Sequence, residues 1–427
     1  MTRQTVQRQR LRMKDKEFMR EIYLDNSATT RCFDPVIERM AQIYRDDYGN
    51  PSSAHHKGVT AEARIREATE TLAKILRCKP EEILYTSGGT ESDNLALLGT
   101  LGTKRGRTKV ITTSIEHPAI LRTAERIAVQ AGADPDAKNV IFLPVDKDGI
   151  VCMDALEEAI DDETLLVSVM HTNNEIGSLQ PVEAIGKMLK AKHPDVLFHV
   201  DAVQGFGKAL IYPGQTGIDL MSVSAHKIHG PKGVGFLYIR KGVRLNAQIT
   251  GGGQQKDLRS GTENVPGIAG MALAAGMLYN TLSEDTERLY ELKSAFIGQL
   301  LQTENVFVNG IPGHPGLSGK DGISSEELKT AVRRSAPHII SASFPGVRSE
   351  VLLHALEEEG IYVSAGSACA THKAHTSETL AAIGLPKERL DATLRFSMSV
   401  HTTREELDAV IGALGRLLPD LQRYSRR

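Results

Sequence analysis

The sequence predicts an α/β fold, with a mainly parallel central sheet flanked by helices in a large domain and a smaller C-terminal α/β domain after it. Three observations predict it. Short apolar runs rich in β-branched residues recur, each closed by a turn; helical stretches fill the intervals; and this rhythm breaks near Gly267.

In chain order the strand-like runs are "EILYTS", "KVITTS", "NVIFLPV", "TLLVSVMH", "VLFHVDA" and "DLMSVSAHK". Parallel strands need long crossovers, and "AEARIREATETLAKIL", "DALEEAI" and "AIGKMLKAK" read as the helices that supply them. From Gly267 the segment "GIAGMALAAGMLYNTLSEDTERLYELKSAFIGQLLQ" reads as one long helix, and fewer strands follow it. These signals place the large domain at 34–275 and give the small domain residues 21–33 and 276–427. The connection "GHPGLSGKDGISSEELKTAVRRSA" is long. Its Ser324-x-x-Glu327 spacing caps a short helix, and the segment is either a partner-binding insertion or a tolerated excursion.

The start, "MTRQTVQRQRLRMKDKEFMR", has no hydrophobic centre of a signal peptide, and Asp15 and Glu17 interrupt a transit-peptide composition. Residues 1–20 therefore read as a flexible, solvated basic extension. The 427 residues are 41% hydrophobic, enough for a large core. Lysine plus arginine (51) balance aspartate plus glutamate (53), so no global field favours nucleic acid or an anionic membrane as partner. No uninterrupted apolar span long enough for a bilayer stands out, and a cytoplasmic location is expected. Cys32, Cys78, Cys152 and Cys369 are far apart and form no CxxC pair, so neither a metal site nor disulfides are expected.

Ligands of α/β sheets sit beyond the carboxyl ends of the strands. After "EILYTS" comes "GGTESDN", a glycine turn entering a helix whose first amides and Thr90 hydroxyl suit a phosphate, although such turns also merely cap helices. "HTNNEIG" follows the fourth run, Asp201 and Gln204 the fifth, and "AHKIHGPKGVGFLY" the sixth. Taken singly, Lys227 reads as a surface lysine and Asp201 as a helix cap. Together with the Thr90 turn they meet the needs of pyridoxal phosphate: an amine for the aldehyde, a carboxylate for the pyridine nitrogen and an anchor for the phosphate. Cys369, in "YVSAGSACATHKAH", lies among residues too small to bury it, which marks the thiol for chemistry.

Ten segments in order, "YLDNSATT", "GNPSSAHHKG", "TSGGTESDN", "EHPAI", "HTNNEIG", "HVDAVQ", "SAHKIHGPKG", "RSGTENV", "SAGSACA" and "LRFSMS", resemble the cysteine desulfurases of the class V aminotransferase family. These are fold-type-I pyridoxal phosphate enzymes related to NifS and IscS, and the resemblance spans residues 21 to 425. It implies that Lys227 carries the cofactor, Asp201 pairs with the ring nitrogen, and Gln204 and Asn174 bond near the phenolic oxygen. His117 stacks on the ring and helps move protons. Gly89, Thr90, Ser224 and His226 surround the phosphate, joined by Thr262 from the second subunit of a homodimer. Arg395 grips the substrate carboxylate, a task its planar guanidinium suits, with Asn50 as a second contact.

The implied reaction takes sulfur from L-cysteine, leaves L-alanine and puts a persulfide on Cys369, from which sulfur passes to an acceptor protein, an iron–sulfur scaffold or a tRNA-thiolation enzyme. Gly366 supplies mobility to the thiol's loop. After Cys369 the chain reads "ATHKAHTSETLAAIGL", where many members carry serines and a Glu-Pro pair, and His372 and His375 either tune the thiol, contact a partner or are simply solvated. A class V aminotransferase needs no such cysteine, a selenocysteine lyase would share the site, and a scaffold that had lost catalysis would be free to lose Lys227, Asp201, His117 and Arg395.

Overall fold

The computed structural model describes residues 21–130, 139–365 and 377–425. They fall into two compact units, Thr29–Glu287 and a second unit of the chain up to Ala28 with Arg288 onward.

The first unit holds a seven-stranded sheet: β1 (Ile83–Thr86), β2 (Lys109–Thr113), β3 (Val140–Leu143), β4 (Thr164–Met170), β5 (Leu197–Asp201), β6 (Leu220–Ser224) and β7 (Gly235–Ile239). The order is β1-β7-β6-β5-β4-β2-β3. β3, β2, β4, β5 and β6 pair in parallel, while β7 runs antiparallel to β1 and β6. All of β4 is buried, as an apolar strand covered on both faces must be.

Side chains two apart on a strand share a face. On one face Val110, Leu166, Leu197 and Leu220 form a core with Leu95, Ala96 and Leu97 of the helix Gly89–Thr100 and Ile120, Ala124 and Ile127 of the helix Pro118–Gln130. Two residues further along the strands, that face changes character. Ser168 stands beside His199 in register, and Asp201 beside Ser222, all buried. The sheet is apolar where it is only packed and polar toward the strand ends.

The second unit is built on five antiparallel strands: β8 (Phe307–Asn309), β9 (Leu317–Ser318), β10 (Ile339–Ser343), β11 (Ser364–Ala365) and β12 (Thr393–Ser397), in the order β9-β8-β10-β12-β11. A further pair joins Ile22–Tyr23 to Ile361–Tyr362 in parallel. Its core is apolar, with Phe396 edge-on to Phe296 and Phe344, and with Leu352, Leu356, Leu407, Val410 and Leu414 from the helices Ser349–Glu358 and Arg404–Ser425. Among the described residues fewer strands follow Gly267 than precede it, and those that do are pieces of two to five residues, which carry too little periodicity to be read individually.

The helix Val265–Leu300 is continuous over 36 residues. The units part inside it, at 287/288, rather than at 275, and at 28/29 rather than 33/34. The composition changes where the helix begins, but its buried residues change core later: Leu289, Leu292, Phe296 and Ile297 belong to the second unit's core. It is long and apolar enough to cross a membrane by length and composition, and 56% of its apolar window is buried, as in a core helix. In the long connection, Ser324 Oγ accepts the Glu327 N–H at 3.2 Å and starts the helix Ser325–Val332. Leu328, Ala331 and Val332 are core residues, and the buried Lys293 ammonium donates to Ser335 Oγ and the Ala336 carbonyl at 2.7 Å. This stretch is packed structure rather than an excursion.

Candidate active site

Three glycines shape the turn between β1 and the next helix. Gly88 has φ 147°, which favours glycine, and a Cβ on Gly89 would stand 2.8 Å from Val203 Cγ2. A Cβ on Gly235 would meet Gly88 Cα at 2.7 Å, so β7 and the turn touch backbone to backbone. A Cβ on Gly88 itself would lie 3.4 Å from Ser224 Oγ, at the end of β6. The missing side chains leave a cradle bounded by the first amides of a twelve-residue helix, by Thr90, exposed on its first turn, and by the Ser224 hydroxyl. Amides, hydroxyls and a helix N-terminus are what a phosphate requires.

Lys227 is half-buried in the single turn Ala225–Lys227 that follows β6. The loop is pinned on both sides of it. Thr30 donates its N–H and its hydroxyl to the His226 carbonyl, each at 2.8 Å, and Lys208 Nζ donates to the Lys227 carbonyl at 2.7 Å. His229, with φ 59°, is held by its ring contact with the Arg31 carbonyl and by stacking on Phe33. Burial and then the Lys227 charge press Lys208 down to about 7 and His226 down to about 4.

Asp201 ends β5, buried, with Oδ1 accepting the Val203 N–H at 2.9 Å. Burial raises its pKa, and His117 and Lys227 oppose the rise, which brings the three side chains into one electrostatic group. His117 is open to solvent on its outer side but desolvated beneath. Burial lowers its pKa, Lys227 adds to that, and Asp201 works against both. Its Nδ1 accepts the Ala119 N–H at 3.1 Å, so in the neutral imidazole the proton sits on Nε2. Gln204 is buried one turn beyond Asp201, and Asn174 is half-buried in the loop after β4, whose shape Asn173 fixes by accepting the Glu175 and Ile176 N–H groups.

Other expected residues stand elsewhere. Asn50 is exposed, its side chain accepting the Ser52 N–H at 3.0 Å, and Thr262 is exposed ahead of the helix Val265–Leu300. No hydrogen bond or ion pair among the described residues joins either to the Lys227 group. Arg395 belongs to the second unit, on β12, buried and paired with Asp25 at 2.7 Å. Cys369, with Gly366, His372 and His375, lies outside the described residues.

Sequence reasoning missed a buried layer behind Asp201. Asp93, on the helix Gly89–Thr100, lies 3.7 Å from His199 Nε2, which is 2.9 Å from Ser222 Oγ, while His199 Nδ1 is 2.8 Å from Ser168 Oγ. Glu116 accepts from Thr113 Oγ1 at 2.7 Å and from the Met170 N–H at 3.0 Å. Burial pushes Glu116 up to about 8 and His199 down to about 3. Asp93 is raised well above the carboxylate range, by burial first and by the Asp201 charge second. The signal was present: His199 and Asp201 alternate within "HVDA", and Ser222 and Ser224 within "SVSA", polar residues on one face of runs otherwise apolar.

The class-V aminotransferase family pattern matches residues 22–410. A protein named cysteine desulfurase IscS from Dictyoglomus turgidum is 38% identical, over 95% of this chain and 96% of its own length. Putative cysteine desulfurase IscS 1 of Bacillus subtilis is 39% identical, over 91% and 96%. Among solved structures, a NifS-like protein superposes with a TM-score of 0.83 at 37% identity, covering 94% of this chain and 100% of that one. DndA from Streptomyces lividans gives 0.69 at 35%, covering 88% and 99%.

Proposed function

The chain belongs to the class-V aminotransferase family, and from that premise we propose that it is a pyridoxal-phosphate-dependent cysteine desulfurase. The observation that carries the reading is the grouping of Lys227, Asp201 and His117 beside the glycine cradle. The residues fit the cofactor. The cradle, Ser224 and His226 would hold the phosphate, Asp201 would pair with the ring nitrogen, Gln204 and Asn174 would bond near the phenolic oxygen, His117 would stack on the ring and Lys227 would take the aldehyde. Thr262, exposed in its own chain, completes the phosphate site of a second copy in a homodimer.

When bound, the cofactor supplies an electron sink for the substrate's α-carbon. The chain supplies the rest. Arg395 leaves Asp25 or shares it to hold the carboxylate of L-cysteine, with Asn50 as a further contact. Lys227 takes the Cα proton, and His117, neutral with its proton on Nε2, exchanges protons at the substrate. The Cys369 thiolate forms a bond to the substrate sulfur as the carbon–sulfur bond breaks. The substrate carbon gains a proton, so L-cysteine and a thiol become L-alanine and a persulfide. That sulfur then passes to an acceptor protein, an iron–sulfur scaffold or a tRNA-thiolation enzyme.

The test is borohydride reduction of protein loaded with pyridoxal phosphate, followed by peptide mass spectrometry. The reading predicts a pyridoxyl group on the peptide containing Lys227; a label confined to other lysines, or none, would contradict it.

A further inference from the structure

The proposed function uses Asp201 but not the polar layer behind it. That layer is buried and rich in acid: Asp93, Glu116, His199, Ser168 and Ser222 are each no more than 4% exposed. Asp93 comes from the helix that begins at the phosphate cradle, its buried Oδ1 3.7 Å from His199 Nε2 and without a hydrogen-bond partner, while Ser222 and Asp201 are register partners on adjacent strands. Ser222 Oγ also meets His199 Nε2 at 2.9 Å, and His199 Nδ1 meets Ser168 Oγ at 2.8 Å.

The charges facing Asp93 decide which carboxyl group keeps the proton. From β5 it faces Asp201 and His199, from β6 Ser222, and from the segment before the helix Pro118–Gln130 it faces Glu116. None of these is a cation: burial keeps His199 neutral, and the others are carboxyls or a hydroxyl. Asp201, by contrast, has its pKa pulled back down by His117 and by the Lys227 charge. With the Asp201 charge raising Asp93, the two buried carboxyls do not both ionise without compensation, and Asp201, whose ionised form Lys227 favours, gives up its proton first.

We propose that Asp93 is a positioning residue of the cofactor site, a neutral acid hydrogen-bonded within the Ser222–His199–Ser168 chain, which leaves the negative charge on Asp201 for the ring nitrogen. The proposal rests on the cofactor reading above. A carboxylic acid carries a donor that a carboxylate lacks, and with it the layer behind Asp201 is hydrogen-bonded without holding a second charge. Asparagine, also neutral and able to donate, replaces such an acid; leucine, of comparable size but apolar, does not.

Two measurements test it. Infrared difference spectra of cofactor-free wild type and Asp93→Asn near pH 7, where ordinary carboxyls are ionised, read the state of Asp93 alone. The expected difference is loss of one protonated-carboxyl C=O band; loss of a carboxylate band overturns the proposal whatever the cofactor does. Pyridoxal phosphate affinity, followed by the cofactor's visible absorption, is then compared in wild type, Asp93→Asn and Asp93→Leu. Asparagine is expected to keep affinity within about threefold and leucine to lose at least about tenfold, which is ~1.4 kcal/mol. Equal loss in both variants, or none in either, overturns the positioning role. Wild type that takes up no pyridoxal phosphate, with the acid band still present, would instead sink the cofactor reading and with it the purpose assigned to Asp93.

Discussion

The two units bury polar groups by opposite means. Behind the strand ends of the seven-stranded sheet, Asp93, Glu116, His171 and His199 are held near neutrality by burial, and Asp93 and Glu116 sit with no lysine or arginine among the groups that move them. In the second unit several buried polar groups are answered locally. Arg395 pairs with Asp25, Asn309 Nδ2 donates to Ser341 and Ser343 at 3.2 and 3.0 Å, and Ser343 meets Thr393 at 2.7 Å. A closed pair has already chosen its charges. A layer of neutral acids has not, and a cation arriving at its open edge, a ring nitrogen or an ammonium, fixes where the charge resides. The first arrangement suits chemistry that moves protons, and the second holds its groups in fixed pairs.

The contrast can be broken at its strongest point by Lys227→Ala. Loss of the amine should abolish alanine formation from L-cysteine, with general-base catalysis alone worth about 10²–10⁴-fold, while far-ultraviolet circular dichroism stays that of the wild type. Turnover within tenfold of wild type would mean that chemistry does not depend on this unit's lysine. Arg395→Lys probes the other arrangement. It keeps a cation for Asp25 but gives up the bidentate fork, so KM for L-cysteine should rise about 10–100-fold, the worth of charge-assisted hydrogen bonds at ~1.5–3 kcal/mol, with kcat changed far less. A fall confined to kcat would move Arg395 from binding to chemistry.

Lys293 bears on stability rather than on chemistry. It is the second unit's buried cation held by neutral acceptors, and burial lowers its pKa from 10.5 to about 7. Between those values the unfolded chain binds the proton and the folded chain does not, so stability rises with pH across that window, by up to about 1.4 kcal/mol per pH unit from this group. Below about 7 the full cost of burying the charge is present. Urea denaturation of Lys293→Met at several pH values should show a flatter rise between neutral and alkaline pH; an unchanged slope would show that the amine is as protonated folded as unfolded.

How much of this the sequence disclosed depends on how local the cause was. Five of the six strands from "EILYTS" to "DLMSVSAHK" are readable because burial on both faces demands continuous apolar runs, whereas β3, with Phe142 exposed, is readable from its β-branched and aromatic residues alone. β7 was not read as a strand: "GVGFLY" stood only within the stretch after the sixth run, and one of its two pairing partners, β1, lies far away in the chain. Lys227, Asp201 and the cradle follow from their places after strands. Asp93 and Glu116 stood inside quoted motifs yet remained silent, because an acid on a helix or ahead of one reads as solvated until the sheet that buries it is known. Asp25 likewise gained meaning only when the Asp25 to Ser397 bridge set it beside Arg395.

The central claim is that the sulfur of L-cysteine leaves on Cys369 while binding and activation belong to the Lys227 site, and it is tested most directly by measuring alanine from L-cysteine in wild type and Cys369→Ala, with mass spectrometry of the wild-type Cys369 peptide after one turnover. The account predicts that the variant still changes the cofactor's absorption on adding L-cysteine but releases neither alanine nor sulfide, and that the wild-type peptide gains one sulfur atom. Equal alanine formation by both proteins, or a Cys369 peptide without added sulfur, would contradict it.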